Sequence, residues 1–481
     1  MLFGAFLLLS FWSSCVLASL QIIPGATWTA SGLNQHIQAH GGGIIQVGST
    51  YYWAGENKLN GSAFQSINCY SSTDLVNWKF NSYLLTLQSS GDLGPNRVVE
   101  RPHIMYNAAT AKYVMWMHID SSNYGEAKAG VATSDMAENY DLQMTSTENE
   151  TDEEFNRGAS QPLGYQSRDL NVFKDTDGTG YLLTEDRANG LRIDKLSADY
   201  TSVVSAVYLF ADYEAPAIYK SGSTYFMFAS HLSGWGMHAS FLSHILITSL
   251  MMIIRMTMFT PRRQICRGLG LPGPLFATVG SNTYSSQTAA VVSINGVVMY
   301  MGDRWKSSNL MTSTYVWLPI TISGTKATMS NQVNWIINPT AGTWTAGPTE
   351  TTPEAEASTN TLANGAITLT CSGCSGGVQV GYIGGPSPGG TLTMNGVSSS
   401  VATTTSIRIH HTNGDSVQRY ANVVVNGVSN ILAFLPTADG NTPGTSVLTT
   451  ALKSGTTNVI QFQSYNSGWA PNIDRIMVPV S

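Results

Sequence analysis

One pattern recurs along this chain and restricts its fold more than any other feature. From Asp212 to Phe228 acidic residues and a proline precede a short apolar run, a Gly-Ser turn follows, and a second aromatic run completes the unit. This pattern predicts a β-hairpin with a carboxylate at its open end. Comparable units occur at residues 43–53, 101–116, 170–183 and 288–300. Their spacing of roughly 45–75 residues matches one four-stranded blade with its loops, so we predict a five-bladed β-propeller.

The residue that opens each hairpin carries the functional signal. Glu100, Asp169, Glu214 and Gln287 occupy equivalent slots in four of the units. Because the first strand of every blade lines the central axis of a propeller, we expect these side chains to meet at one mouth of the channel. The alternative is that acids stand at strand starts because they are exposed, but three acids and a glutamine in equivalent slots favour a functional site.

The first hairpin departs from this pattern. Its slot reads Gln38-Ala39-His40-Gly41 and contains no carboxylate. The glycines that follow His40 permit a ligand or a neighbouring backbone to approach closely.

The pattern of the sequence changes near residues 347–353. The preceding residues, 20–347, form the predicted propeller, and residues 352–481 alternate short strands with glycine-rich turns, which predicts a β-sandwich of the jelly-roll type. Charged residues make up only 11% of the whole chain, against about 25% in an average globular protein. The net charge of −6 gives no reason to expect nucleic acid or an anionic membrane as a partner.

Residues 1–19 are a short apolar run that ends in small residues, which predicts a signal peptide and a secreted, extracellular protein. A membrane anchor would need about 20 apolar residues and is the weaker interpretation. Sequons at Asn60 and Asn149 agree with a secreted glycoprotein. In an oxidising compartment Cys371 and Cys374 are predicted to form a local disulfide, with Cys69 as a buried free thiol.

Residues 236–271 fit neither strand alternation nor a turn pattern. They crowd methionine and isoleucine together and then arginine and proline. We interpret this segment as a gene-model error, such as a retained intron with a shifted frame. An inserted loop and a membrane span interrupted by His244 and Arg255 are the alternatives.

Several carboxylates in a propeller mouth suit glycoside hydrolysis. One acid protonates the leaving oxygen, a second group activates water, and a third tunes or orients the acid. Aromatic residues near the mouth are candidates for stacking on sugar faces, although each alone is more often a packing residue; they are Trp53, Tyr124, Trp235 and Trp305.

Five phrases, in this order, make the chain resemble glycoside hydrolase family 43, whose members are five-bladed propeller enzymes that invert configuration. The phrases are Tyr70–Trp78, Val99–Pro102, Ser167–Asp169, Glu214–Pro216 and Gly302–Trp305. The Gln-Ala-His-Gly of the first blade and the Ser-Gln of the fifth are similar to the fungal exo-β-1,3-galactanase branch. The resemblance covers nearly all of the chain that follows the signal peptide, except residues 236–271.

The resemblance implies a role for each slot residue. Glu214 corresponds to the general acid, and Asp169 to the carboxylate that tunes it and positions the sugar. The galactanase branch lacks the usual first-blade aspartate base; its activating residue corresponds to Gln287, with Glu100 as the rival. The substrate-holding positions that it implies are Glu56, Arg101, Tyr124, Trp235 and Arg304.

The C-terminal residues resemble carbohydrate-binding module family 35. That resemblance implies a structural calcium held by Glu354, Glu356 and Asp474, since hard oxygen ligands suit calcium; ordinary surface acids are the alternative. The sugar-binding loops that it implies contain Tyr382, Asp415, Arg419, Asn466 and Trp469. Such a module would keep the enzyme near its polysaccharide by raising the effective concentration.

Together these observations predict a monomeric exo-acting hydrolase of the β-1,3-galactan backbone of arabinogalactans, with no cofactor for catalysis. Two alternatives stay open. One is another specificity of the same family, α-L-arabinofuranosidase or β-xylosidase. The other is a galactan-binding protein without hydrolytic activity, which the missing first-blade aspartate favours.

Overall fold

A computed structural model of the chain describes residues 20–135, 159–210, 213–232, 245–247, 266–267, 283–400 and 402–480. These residues form strands, turns and short 3-10 helices at Gly91–Leu93, Pro162–Gly164, Leu310–Thr312 and Ser375–Gly377. The described part of the chain contains no α-helix, which confirms the all-β prediction, and no helix there is long and apolar enough to span a bilayer. The predicted signal peptide, Asn149, Trp235 and almost all of segment 236–271 lie outside the described residues.

Most strands before residue 347 belong to five successive sheets. Strands β1 to β23 are Thr29–Ala30, Gln35–His36, His40–Val47, Thr50–Glu56, Ser66–Ser72, Lys79–Thr86, Arg97–Asn107, Lys112–Ser121, Lys128–Asp135, Leu170–Lys174, Gly180–Thr184, Arg192–Leu196, Val203–Leu209, Tyr213–Ser221, Thr224–His231, Ile245–Ile247, Cys266–Arg267, Gln287–Ile294, Val297–Arg304, Thr314–Ser323, Lys326–Met329, Trp335–Asn338 and Thr343–Ala346. The sheets are β3–β6, β7–β9, β10–β13 with β17, β14–β16 and β18–β21, and consecutive strands within them are antiparallel.

The five sheets are arranged in a closed ring. Strands β3, β7, β10, β14 and β18 begin the five sheets, each contacts the next, and β18 contacts β3. Every pair of adjoining sheets shares a buried apolar cluster. Because successive side chains of a strand point to opposite faces, a strand between two sheets must be apolar on both faces.

The second strands of the sheets show this most clearly. In β8, Val114 packs toward the third sheet while Met115 packs toward the first. In β11, Leu182 packs toward the second sheet and Leu183 toward the fourth. Leu182 is fully buried, so replacing it with alanine would cost about 2–5 kcal/mol of stability.

A β-bulge follows the opening slot in four of the five first strands. The register shifts between His40 and Gly43, Glu100 and His103, Glu214 and Ala217, and Thr288 and Ala290. In three of them the residue directly after the slot has a left-handed φ: Gly41 at 63°, Arg101 at 53° and Ala215 at 52°. A bulge bends its strand and redirects side chains. The bulge therefore allows the side chain of the slot residue to point toward the opening of the ring, out of the regular alternation of side chains between the two faces of the strand.

The C-terminal residues form two antiparallel sheets that share one buried apolar core. Strands β24 to β34 are Glu350–Thr351, Thr361–Ala363, Ile367–Thr370, Val378–Gly381, Thr391–Ser399, Thr403–Thr412, Arg419–Val425, Val428–Phe434, Gly444–Leu452, Gly455–Gln463 and Asn472–Pro479. The core interleaves Ile409 and Ile473 from one sheet with Val423 and Phe462 from the other. Cys371 and Cys374 form the predicted disulfide, and Cys69 in the first sheet is a buried thiol outside any disulfide, as predicted.

Residues 21–36, which we call the N-terminal strap, join the ring to the C-terminal sheets. The Gln21 amide donates to Ser406 Oγ at 2.9 Å, and the His36 amide donates to Gln418 Oε1 at 3.2 Å. The Ala433 amide donates to Thr29 Oγ1 at 3.1 Å. On its other side the strap inserts Trp28 into an aromatic cluster with Trp53 and Trp317.

Candidate active site

A cavity of about 200 Å³ opens where the first strands of the sheets begin. All four slot residues, Glu100, Asp169, Glu214 and Gln287, line it. Its other lining residues are Glu56, Arg101, His118, Tyr124, Arg168, Glu185, Arg187 and Trp305. Nearly every one of these side chains is charged or can form hydrogen bonds, so the cavity suits a polar substrate.

Arg101 connects three of the sheets at the floor of this cavity. Its Nη2 donates to Asp169 Oδ2 at 2.8 Å and to Gln287 Oε1 at 2.6 Å, and its Nη1 donates to the Thr288 carbonyl at 2.5 Å. Burial disfavours the guanidinium charge, but Asp169 and the other carboxylates nearby outweigh it and hold the pKa of Arg101 above its usual range. The arginine is therefore a permanent positive charge beside the slot acids.

Gln287 positions Glu214. Its Nε2 donates to Glu214 Oε1 at 3.0 Å, while its Oε1 accepts from Arg101 and, at 2.9 Å, from Trp305 Nε1. The two donors fix the orientation of the amide, since a flipped amide would place N–H groups against N–H groups. Both lone pairs of the Gln287 oxygen are thus engaged, which leaves this oxygen poorly suited to accept a proton from water.

Glu185 is a further acid at this site, and the sequence analysis missed it. The nearest carboxylate oxygens of Asp169, Glu185 and Glu214 all lie within 4.8 Å of one another. Burial first, and then the nearby Asp169, raise the pKa of Glu185 to about 7, although Arg187 opposes the shift. Its Oε1 accepts from Arg187 Nε at 2.5 Å. Its position in the sequence could have indicated it, because Glu185 directly follows the strand that pairs with β10 and so lies beside the Asp169 slot. In the structure the Glu185 amide donates to the Asp169 carbonyl.

A second group of charges surrounds Glu100. Lys58 Nζ lies 2.9 Å from Glu56 Oε2 and 3.0 Å from Glu100 Oε1, and all three side chains are buried. Tyr124 donates to Glu100 Oε1 at 2.9 Å, and His118 Nδ1 lies 3.4 Å from Oε2. Burial opposes ionisation of Glu100, but Lys58 and His118 hold its pKa below the usual range.

Glu56 and Glu100 both contact Lys58, but their pKa values shift in opposite directions. Burial raises the pKa of Glu56 to about 7, with Lys58 opposing the shift and the charge of Glu100 adding to it. Its Oε1 accepts from the Arg101 amide at 2.9 Å. Glu56 thus supports the bulge that carries Arg101.

His40, which occupies the slot of the first sheet, contacts the second and third strands of the fifth sheet. Its Nδ1 lies 2.9 Å from Asp303 Oδ1, and Asp303 Oδ2 accepts the Gly41 amide at 2.8 Å. Its ring stacks on Tyr315, and the His40 side chain is fully buried. A Cβ at Gly41 would lie 2.0 Å from Glu56 Oε1 and one at Gly42 would lie 1.9 Å from the Ala54 carbonyl, so the glycines serve close packing of backbone and side chains.

The predicted substrate-holding residues divide into three groups. Glu56, Arg101 and Tyr124 line the cavity. Arg304 is not among the residues that line it: its Nη2 donates to the Tyr284 carbonyl at 2.8 Å, and Trp305 next to it takes the lining position. Successive residues leave a strand on opposite sides, which accounts for this exchange. Trp235 lies outside the described residues, and Trp53 is a core residue of the aromatic cluster.

Two of the five sugar-binding candidates of the C-terminal sheets form an exposed aromatic pair. Tyr382 and Trp469 are 54% and 49% exposed, with ring centroids 6.2 Å apart in an edge-to-face arrangement. Asn466 is exposed in the loop that carries Trp469. Arg419 Nε donates to Asp415 Oδ2 at 2.7 Å, and Arg419 Nη1 donates to the Ala470 carbonyl, which links this pair to the same loop.

The predicted calcium residues stand close together at another edge of these sheets. Ser375 donates its hydroxyl to Glu354 Oε1 at 2.7 Å and its amide to Asp474 Oδ1 at 2.9 Å. Burial, followed by the charges of Glu354 and Asp474, raises the pKa of Glu356. Glu354 Oε2 and Glu356 Oε2 are buried and accept no hydrogen bond. Buried oxygens of this kind fit a hard cation, although the three carboxylates are less tightly grouped than those of the cavity.

Comparison with known proteins gives one consistent result. The sequence profile of Glycosyl hydrolases family 43 matches residues 39–241. The structure of an exo-β-1,3-galactanase from Phanerochaete chrysosporium with galactose is 34% identical, with a TM-score of 0.62, and the match covers 95% of this chain and 99% of that one. Two structures of that protein with one glutamate replaced contain β-1,3-galactotriose. No curated protein sequence matches the chain.

Two further structures are more distant. A family 43 β-1,3-galactosidase with galactodeoxynojirimycin is 27% identical, with a TM-score of 0.54 and coverage of 66% of this chain and 100% of that one. An exo-β-1,3-galactanase from Clostridium thermocellum is 24% identical, with a TM-score of 0.57 and coverage of 95% and 100%. At that identity the likeness concerns the fold alone.

Proposed function

Because this chain belongs to glycoside hydrolase family 43, we propose that it is an exo-β-1,3-galactanase that releases galactose from the β-1,3-galactan backbone of arabinogalactans. The observation that carries the proposal is the 34% identity to the Phanerochaete chrysosporium enzyme over 99% of that enzyme's length. A cavity lined by convergent carboxylates supports it, since glycoside hydrolysis needs acids of distinct roles in one pocket.

Glu214 acts as the general acid in this proposal. It is 1% exposed, and its Oε1 accepts from Gln287, so the transferable proton resides on Oε2. This proton passes to the glycosidic oxygen as the bond to the sugar C1 breaks, while water attacks C1 from the opposite face and yields the inverted anomer. Asp169, held by Arg101, keeps a negative charge beside the acid and positions the sugar.

Gln287 and Glu100 are the two candidates for activating the water. Gln287 has an engaged carbonyl oxygen, which favours a positioning role, whereas Glu100 is ionised beside Lys58. Rescue by azide separates them, because a small anion can replace the water whose base has been removed. We expect azide to restore turnover to the alanine variant of the true base and not to that of the other residue.

The same proposal covers the architecture and the compartment. The ring of five sheets forms a five-bladed propeller over residues 20–347, and residues 352–481 form a jelly-roll carbohydrate-binding module of family 35. Residues 1–19 direct secretion, and the exposed Asn60 is available for glycosylation. Calcium, held by Glu354, Glu356 and Asp474, stabilises the module without taking part in the reaction. The enzyme works as a monomer.

Product analysis tests the proposal most directly. We expect the purified protein to release galactose from linear β-1,3-galactan and no sugar from arabinan or xylan. Release of arabinose or xylose would instead identify one of the rival specificities. Binding of galactan without turnover would favour the non-hydrolytic alternative.

The first-formed anomer tests the stereochemistry. Inversion gives α-galactose from a β-linkage, which NMR detects before the anomers equilibrate. Asp169 and Glu185 both lie nearer to Glu214 than the roughly 6.5–9.5 Å that an inverting acid and base require, so neither suits the base. Initial β-galactose would overturn the inverting mechanism and point to one of them as a nucleophile.

A further inference from the structure

Glu185 is the one acid of the cavity that no role yet explains. Backbone hydrogen bonds hold it opposite the Asp169 slot, since the Glu185 amide donates to the Asp169 carbonyl at 2.9 Å and the Glu185 carbonyl accepts from Arg168 at 3.0 Å. Its side chain is 2% exposed. A rigid, buried carboxylate in the wall of a reaction cavity requires either full charge compensation or a use for its proton.

Its charge is compensated less completely than that of Asp169. Asp169 pairs with Arg101, which is 4% exposed, whereas Glu185 pairs with Arg187, which is 48% exposed. Water screens the charge of an exposed arginine, so Arg187 offsets less of the cost of ionising Glu185. The titratable and charged groups that line the cavity with Glu185 are Glu56, Glu100, Arg101, His118, Arg168, Asp169, Arg187 and Glu214.

Two carboxyl groups this close behave as a pair. Since their nearest oxygens lie within 4.8 Å in a buried site, Glu185 and Glu214 cannot both ionise without a large electrostatic cost. One proton therefore stays on the pair over a wider pH range than either group would hold it alone.

We propose that Glu185 is a positioning residue of the catalytic acid, which together with Asp169 keeps the transferable proton on Glu214 between catalytic cycles. This inference rests on the proposed function, because it needs Glu214 to act as the acid. In the ionised state Glu185 opposes loss of the Glu214 proton; in the protonated state it holds a second proton next to the acid.

The pH profile of kcat tests this role with two variants that should shift its alkaline limb in opposite directions. In Glu185→Gln the negative charge is gone, Glu214 loses its proton more readily, and we expect the alkaline limb to move down by about one pH unit. In Arg187→Gln the compensating positive charge is gone, so the limb should move up, by about half a unit because Arg187 is partly exposed. A residue with only a structural role would not give shifts of opposite sign.

Two controls accompany these variants. Asp177→Asn removes a carboxylate from the exposed turn at the far end of the same sheet, and its limb should coincide with that of the wild type. Glu185→Asp keeps the charge, so its limb should stay nearer the wild-type position than that of Glu185→Gln even if kcat falls. If Glu185→Gln proves inactive at every pH, Glu185→Ala takes its place in the comparison, because it removes the same charge, whereas Arg187 also acts directly on Glu214.

Unmoved limbs in both Glu185→Gln and Arg187→Gln would overturn the inference. Such a result, obtained with an active wild type and an inactive Glu214→Gln variant, leaves the proposed function intact. A wild type that releases no galactose, or a Glu214→Gln variant as active as the wild type, would instead refute the proposed function itself.

Discussion

Two groups of three carboxylates, one in the ring cavity and one in the C-terminal sheets, differ in what neutralises them. Asp169, Glu185 and Glu214 lie within 4.8 Å of one another and have Arg101 and Arg187 as partners. In the other group the nearest arginine nitrogens stay 3.9–4.0 Å away from Asp474 and Glu354, and Ser375 supplies the only hydrogen bonds that these two carboxylates receive within the described residues.

This difference indicates what each group can do. Arginine stays protonated, so it neutralises a carboxylate without exchanging a proton with it. The carboxyl groups of a cluster with arginine partners can therefore still bind and release protons. A cluster with buried oxygens that accept nothing has free coordination capacity, which suits a cation. On the proposed roles, the same residue types would therefore serve acid chemistry in one place and metal binding in the other.

The largest effect is expected from removing the acid of the first group. Glu214→Gln keeps the size and the hydrogen-bonding capacity of the side chain but cannot donate a proton, so kcat on β-1,3-galactan should fall about 10³-fold. Steady-state kinetics measure this. Glu126→Gln, which alters a surface acid paired with Arg97 and Lys128, should keep wild-type turnover. A loss below tenfold for Glu214→Gln would remove it from the acid role.

The second prediction compares the arginines of the two groups. Arg101→Met leaves Asp169 and Gln287 without their shared donor and should lower the free energy of unfolding by about 3 kcal/mol. Arg475→Met, at 4.0 Å from Glu354 and 30% exposed, should cost less than about 1 kcal/mol. Denaturant unfolding measures both. Equal costs would show that the two clusters are neutralised alike.

Calcium should stabilise only the second group. At about 100 times its Kd, a bound ion adds about 2.7 kcal/mol to stability, which raises the Tm by several degrees. Glu356→Gln should abolish this response, because one of the buried oxygens without a donor is lost. The control Asp415→Asn, an exposed acid elsewhere in the same sheets, should retain it. A Tm that calcium leaves unchanged would contradict the site.

The last expected effect is a pH dependence of stability from His118. Burial lowers the pKa of His118, but the hydrogen bond to Asp120 and the nearby charge of Glu100 outweigh burial and raise the pKa to about 9. A raised histidine pKa gives stability that is complete below the unfolded value, about 6.5, and is lost as the pH rises through 9. His118→Gln should flatten the unfolding free energy between these values. A slope as steep in the variant as in the wild type would assign the loss to other groups.

The sequence predicted the location of the slot residues but not that of their neighbours. The hairpin pattern identifies which strand comes first in each sheet, and equivalent starts must then meet at one opening. Lys58 and Glu185 lie just after the second strands β4 and β11, and His118 lies within the second strand β8. The hairpin pattern does not indicate that these side chains face the slot acids. The cross-strand partners of two slots line the cavity: Glu56 lies opposite His40, and His118 lies opposite Glu100. The partners of two others, Ser230 opposite Glu214 and Asp303 opposite Gln287, are not among its lining residues.

The direction in which side chains point was the other feature that the sequence could not predict. Arg304 and Trp305 are adjacent, and only the register of β19 decides which of them reaches the cavity. The bulges after the slots were not visible either, since Arg101 and Ala215 adopt left-handed φ values that their residue types do not favour. Tertiary contacts, such as the bond from the Arg101 amide to Glu56, impose these conformations.

The N-terminal strap bears on how the two parts of the molecule cooperate. Since residues 21–36 are bonded to the C-terminal sheets on one side and inserted among tryptophans of the ring on the other, the strap links the two bodies through both of its sides. If Tyr382 and Trp469 hold a polysaccharide, this link would restrict where that polysaccharide can lie relative to the cavity. Cutting the chain after residue 347 would then remove packing partners of the strap as well as the proposed sugar-binding surface.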